Sequence, residues 1–127
     1  MGVSTDAMLC YGFEVEEGSE DHRLVEQAMY GYDNYEGNNH AEKARLKALS
    51  DGVDERIVTH CSDECRMYIV CAKGSDTLAW RGSPKEINVD ELADRFMGPY
   101  ERDIRGTCDL LGITFKPCSW LLCSYWG

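Results

Sequence analysis

The last nine residues, Ser119-Trp120-Leu121-Leu122-Cys123-Ser124-Tyr125-Trp126-Gly127, constrain the fold more than any other stretch of the chain. Chain ends are usually polar and frayed, yet this one carries two tryptophans, a tyrosine and two leucines. Read with a period of two, Trp120, Leu122, Ser124 and Trp126 fall on one face, and Leu121, Cys123 and Tyr125 on the other. Both faces are largely apolar, so the pattern predicts a strand covered on both sides within a sheet. With 127 residues and 43% hydrophobic content, the chain has enough apolar surface for one core, a single domain spanning residues 1–127.

The remaining elements follow from periodicity and punctuation. Residues 7–15 (AMLCYGFEV) form a first strand ended by Glu16-Glu17-Gly18, with Gly12 marking a bulge or a close backbone approach. Leu24, Val25, Ala28 and Met29 are spaced as a short helix with Ser19 or Asp21 near its cap. Residues 30–39, rich in Gly, Asn and Tyr, read as a loop. Residues 41–50 read as a helix capped by Asn38 or Asn39, with Leu46 and Leu49 inward and Asp51-Gly52 as its stop. Residues 56–60 and 66–73 suggest a hairpin around the polar link 61–65, and residues 77–81 a third strand of the same meander. Asn88 with Glu91 resembles a capping box opening a helix through Leu92, Ala93, Phe96 and Met97. Gly98-Pro99 either kinks that helix or starts a new one, and Tyr100, Ile104, Cys108 and Leu111 recur at helical spacing up to Gly112. The order implies an α+β fold: a mainly antiparallel sheet of about four or five strands, helices on one face, and the C-terminal strand buried in the sheet.

Charge is the most informative bulk property. The net charge is -10, and residues 1–40 hold nine acids against the single Arg23. Such a surface repels nucleic acid and anionic membrane and attracts basic proteins. The start MGVSTDAMLC lacks the basic and apolar regions of a secretory signal, Asp6 stands where a myristoylation motif needs Ser or Thr, and Cys123 lies too far from the end for prenylation. No apolar run reaches membrane-span length, so a cytoplasmic protein is expected. Seven cysteines in no bridging pattern then read as reduced thiols, with Cys10, Cys71, Cys108 and Cys123 acting as small buried hydrophobes.

Four constellations invite a chemical reading. His60-Cys61-Ser62-Asp63-Glu64-Cys65 holds zinc-ligand types, but a fourth ligand would have to come from Cys118 or Cys123, so ordinary hairpin residues are the stronger reading. A nucleophilic Cys61 or Cys65 with His60 or His40 is opposed by the nearby Asp63 and Glu64, and by the alternation that turns neighbouring strand residues to opposite faces. Glu14 and Glu16 could pair as an acid–base or magnesium site, but carboxylates beside a turn are more often a solvated edge. No phosphate-binding Gly-rich loop, Ser-centred nucleophile elbow or His-rich helix occurs. The fourth constellation is an interaction surface: Glu14, Glu16, Glu17, Glu20 and Asp21, followed by Tyr30, Tyr32 and Tyr35. Acids steer a basic partner, and tyrosines give contact area at low entropic cost. The expectation is therefore a partner-binding protein with no catalytic residues, no metal and no cofactor.

Ser4-Thr5-Asp6-Ala7 leading to Leu9-x-Tyr11-Gly12, then Thr59-His60-Cys61-Ser62 before Met67-Tyr68-Ile69, and the terminal Ser124-Tyr125-Trp126-Gly127 resemble a group of small orphan proteins encoded by tailed bacteriophages. The group has no established common activity, so the resemblance transfers no site residue. It implies expression in a bacterial host cytoplasm. It also implies a small non-enzymatic inhibitor or modulator of a host or defence protein, of the anti-CRISPR or anti-restriction kind, including imitation of nucleic-acid charge. The alternatives are a small enzyme or metal or ligand binder using the hairpin from His60 to Cys65, and a structural phage component.

Overall fold

A computed structural model describes residues 5–61, 66–94 and 97–126. Nine elements follow one another: β1 (Thr5–Glu14), α1 (Glu20–Tyr30), α2 (His40–Val53), β2 (Ile57–His60), β3 (Met67–Cys71), β4 (Thr77–Ala79), α3 (Val89–Asp94), α4 (Met97–Leu111) and β5 (Ser119–Trp126). The five strands make one antiparallel sheet, and with the helices it forms the expected α+β fold.

β1 is the centre of that sheet. Val15 N donates to Tyr68 O (2.9 Å), Ala72 N to Tyr11 O (3.0 Å) and Tyr11 N to Ser75 Oγ (3.1 Å). The odd-numbered backbone groups of β1 thus face β3 and β4, and antiparallel alternation turns the even-numbered ones to β5. β5 runs beside β1 from Thr5↔Trp126 to Gly12↔Ser119. The opposite edge is shared, β4 pairing residues 7–9 and β3 pairing residues 12–14. The predicted three-strand meander is therefore corrected. β2 and β3 do form a hairpin, but β4 pairs with β1 and not with β3. The reason is local: Ser75 Oγ donates to Ala72 O (2.8 Å) while accepting from Tyr11 N, so residues 72–76 loop out and return to the same edge of β1.

The two faces of the sheet are closed differently. Tyr11, Phe13 and Val15 join Ile57, Tyr68, Val70 and Ala72 under Val25 and Ala28 of α1 and Ile104, Cys108 and Leu111 of α4. On the other face Cys10, Val58, Ile69 and Cys71 form a second buried cluster with Met8, Leu121 and Cys123 around it. β2 and β5, at opposite margins of the sheet, touch, so the sheet curls around this second cluster. Small side chains such as Cys and Val suit so narrow a space. β5 lies in the sheet as predicted, but its cover is uneven. Trp120, Leu121 and Cys123 are half-buried, whereas Leu122 is 75% exposed.

Most helix boundaries follow their caps. Ser19 accepts from His22 N (3.1 Å), Asn39 from Glu42 N (3.1 Å) and Asn88 from Glu91 N (3.2 Å), each as a side-chain N-cap. Met97 and Gly98-Pro99 open α4 as a separate helix, and Gly112, at φ 73°, ends it with Ile113 N on Cys108 O (3.0 Å). Phe96 lies outside the described residues. Asp51-Gly52 does not stop α2, which runs on to the fully buried Val53. Gly52 is a packing glycine there: a Cβ on it would sit 3.2 Å from Leu110 Cδ2.

Gly12 is the tightest contact in the sheet, since a Cβ on it would lie 1.9 Å from Val70 O, where only backbone could yield. Gly12→Ala is expected to destabilise the fold by about 3 kcal/mol or more. Gly106→Ala, in the exposed middle of α4 where a Cβ meets nothing within 4 Å, should stabilise by about 0.5–1 kcal/mol. Urea unfolding of both variants checks the pair. Tyr11 offers a second test. It is buried, it donates to Glu101 Oε1 (3.0 Å), and burial followed by that carboxylate pushes its pKa up to about 12. Below about pH 10 both folded and unfolded chains keep this proton. Between there and about 12 only the unfolded chain loses it, so stability should fall across that window, and less steeply in Tyr11→Phe, as read from urea midpoints.

Candidate functional site

A cleft of about 520 Å³ opens beside β2. Met8, Met29, Ile57, Val58 and Cys71 supply its apolar lining, with Tyr30 from the end of α1. Asp54, Glu55, Asp76 and Lys73 supply its charges. Lys73 Nζ is paired with Glu55 Oε2 at 3.0 Å, while no ion pair engages Asp54 or Asp76 among the described residues.

The sequence places these acids where helix electrostatics disfavours them. Asp51 lies in the last turn of α2, Asp54 is its C-cap and Glu55 follows, with no basic residue in that turn. A helix carboxyl end already carries a partial negative charge, and acids there are destabilising by a few tenths of a kcal/mol or more. Asp51 is relieved by Lys47 at 3.5 Å. Asp54 and Asp76 are exposed carboxylates on the lining of the cleft, an arrangement suited to a cation.

The predicted interaction residues do not form one surface. Glu14, Glu16 and Glu17 are exposed where β1 ends, and β1 stops before Glu16, so Glu14 and Glu16 do not share a strand face. Glu14 Oε1 stands 3.6 Å from His60 Nε2. Glu20 is paired with Arg23 through Nε and Nη2 of the guanidinium, which holds its carboxyl below the usual range. Asp21 accepts from Thr114 N (3.2 Å), fastening the segment after α4 to the start of α1. The tyrosines are largely turned to internal use. Tyr30 packs on the core with the Arg66 guanidinium 4.1 Å from its ring. Tyr32 lies beneath Lys43 and Lys47, 5.6 and 5.3 Å from the ring centre. The Tyr35 hydroxyl accepts from Asn39 N (3.2 Å) and its ring fills the space beside Gly37. Aromatic residues in a polar loop are here explained by the loop's own folding, and only Tyr30 also borders the cleft.

A network that sequence reasoning passed over joins α1 to β3. Tyr68, buried and with its pKa pushed up by that burial, donates to Glu26 Oε1 (3.0 Å). Arg66 Nη1 is 3.8 Å from the same oxygen, and His22 Nε2 meets Arg66 O at 2.9 Å. Asp103 of α4 does similar work, accepting from Arg56 Nε (2.9 Å) and Lys73 N (2.8 Å).

The hairpin chemistry is altered by one backbone angle. Cys61 has φ 68°, the left-handed region, so the alternation expected to separate it from His60 does not hold. Its Sγ lies 3.8 Å from His60 Nδ1 and 3.3 Å from Met67 Sδ. Ser62, Asp63, Glu64 and Cys65 fall outside the described residues. His40 opens α2 and is exposed, and Cys118 is half-buried with burial pushing its thiol up to about 11. Among the described residues no group of three or more His, Cys, Asp or Glu is placed to hold a metal ion, and no helix is long and apolar enough to cross a membrane. Cys10, Cys71 and Cys108 are buried, and Cys123 is half-buried.

No protein-family model, curated protein or solved structure matches the chain. The class defined by the coordinates is thus a small α+β protein with a curled five-stranded sheet and an acid-rimmed cleft at its β2 margin.

The division between structural and free acids is testable. Asp21→Ala should lower unfolding stability by about 1–2 kcal/mol through the lost acceptor for Thr114 N. Glu16→Ala, at an exposed position, should stay within about 0.5 kcal/mol of the parent in the same urea titration.

Proposed function

We propose that this chain is a non-enzymatic binding protein that captures a basic segment of a partner protein in the cleft beside β2, and by doing so inhibits or modulates that partner. The observation that carries the reading is the pairing of an apolar floor with three carboxylates and a single, already neutralised lysine. A lysine or arginine side chain fits such a site, because its methylene stem lies on apolar groups while its charged head meets the rim. The exposed Glu16 and Glu17 and the net charge of -10 support the same choice of partner by drawing basic surfaces in from a distance.

The bacteriophage resemblance suggests the setting: a host or defence protein as partner, met in the bacterial cytoplasm. Imitation of nucleic-acid charge is the less favoured mode. It calls for an open row of carboxylates, and Glu14, Glu20, Asp21 and Glu26 are each engaged within the fold.

Affinity capture from bacterial lysate with the parent chain and with Asp54→Lys/Asp76→Lys tests the proposal. The parent should retain a basic protein in a stoichiometric complex, and the double reversal should weaken it about 100-fold or more. Glu16→Lys/Glu17→Lys should act mainly on the association rate and its salt dependence. A complex that survives the double reversal at low salt, or no retained protein, contradicts it.

A further inference from the structure

Of the six cysteines among the described residues, Cys61 is the exposed one. It follows β2 directly, in a conformation that L-residues with a β-carbon rarely adopt, at a local cost of about 1 kcal/mol or more. Strain of this kind calls for an explanation at the site where it occurs. The turn carries the Cys61 thiol back over the side of β2 that holds His60, so Sγ comes to 3.8 Å from Nδ1 instead of pointing to the opposite face.

His60 is prepared for that neighbour. Its side chain is 11% exposed, and Nε2 is shut off from solvent with no hydrogen-bond partner. Glu14 Oε1 faces Nε2 at 3.6 Å, ion-pair distance and longer than a hydrogen bond. A carboxylate on that side favours the tautomer with its proton on Nε2, which leaves Nδ1 as the acceptor. The order is thiol, imidazole, carboxylate, each within reach of the next, on the ends of β2 and β1. Separations slightly longer than hydrogen bonds are common in unliganded sites of this type.

We infer that Cys61, with His60 as its base and Glu14 holding the ring, is a site of thiol–disulfide exchange with uncharged low-molecular-weight disulfides. Nδ1 accepts the thiol proton and the Cys61 sulfur attacks one sulfur of the reagent. A new S–S bond forms as the old one breaks, and the displaced thiolate takes the proton from the imidazolium. Cys61 is oxidised to the disulfide level, the leaving sulfur is reduced to a thiol, and the reagent itself is the oxidant. Glu14 beside the ring disfavours anionic reagents. The other described cysteines are less accessible or less acidic: Cys10 is fully buried, a hydrogen bond with Cys10 followed by burial raises the Cys71 thiol, and burial pushes Cys108 and Cys118 up to about 11 and raises Cys123. This site is separate from the acidic cleft, whose lining contains neither His60 nor Cys61, and stands or falls without it.

The test follows the reaction of the fully reduced protein with dithiodipyridine, an uncharged aromatic disulfide, by release of its thione, with peptide mapping of the modified cysteine. The expected result is a fast phase of one equivalent mapping to Cys61, faster than the same cysteine in the urea-unfolded chain. Cys61→Ser should abolish that phase, His60→Gln should slow it on the order of tenfold or more, and Glu14→Gln should slow it less. Loosening the hairpin would expose the thiol further and speed the reaction, so slowing reports the base and not a structural fault. If His60→Gln does not fold, Glu14→Gln, at an exposed carboxylate, decides the question. A fast phase mapping to Cys65 or Cys123, a native rate no greater than the unfolded one, or a rate unchanged in the variants that fold, overturns the inference.

Discussion

The structure depends on β1 being paired along both of its edges. One edge is taken entirely by β5, and the other is divided between β3 and β4. The central strand can be approached so closely at Gly12 because that residue has no side chain to keep Val70 O away. The consequences spread outward: the odd-numbered face of β1 receives α1 and α4, and the even-numbered face is closed by the curl that brings β2 to β5. No second layer of helices is needed, because a narrow interior filled by Cys10, Val58, Ile69 and Cys71 buries that face.

Much of this was legible in the residues. Caps at Ser19, Asn39 and Asn88 stand where side-chain oxygens meet free amides, and helical spacing from Tyr100 to Leu111 matches α4. These are local effects, and local sequence carries them. What was not legible is non-local. The partner of β4 is chosen by Ser75 reaching Tyr11 N across the sheet, so a turn that reads as a hairpin becomes an excursion. Gly52 reads as a stop because glycine weakens helices, yet the close approach of Leu110 gives it a packing role inside α2.

The candidate site shows the same divide. The count of acids in the first forty residues was a sound statement about composition and a poor guide to surface, since Glu20 pairs with Arg23, Asp21 holds Thr114 N, Tyr30 packs on the core, Tyr32 lies against α2 lysines and Tyr35 folds onto its own loop. The carboxylates of the cleft come from residues 54, 55 and 76, brought together only by the fold. A signal was present in Asp51-Gly-Val-Asp54-Glu55, an acidic run at a helix carboxyl end with no basic residue to offset it. The pairing of His60 with Cys61 could not be foreseen from strand alternation, because a single left-handed residue suspends the rule.

Hydrogen exchange of the native protein, resolved amide by amide, tests the central role of β1 most directly. Amides of Met8, Cys10 and Phe13 should exchange only through global unfolding and be among the slowest in the molecule, with those of β4 and α3 opening earlier. If β1 exchanges faster than the β2–β3 hairpin, or its two edges lose protection at separate free energies well below global unfolding, the doubly paired strand is not what holds the fold together.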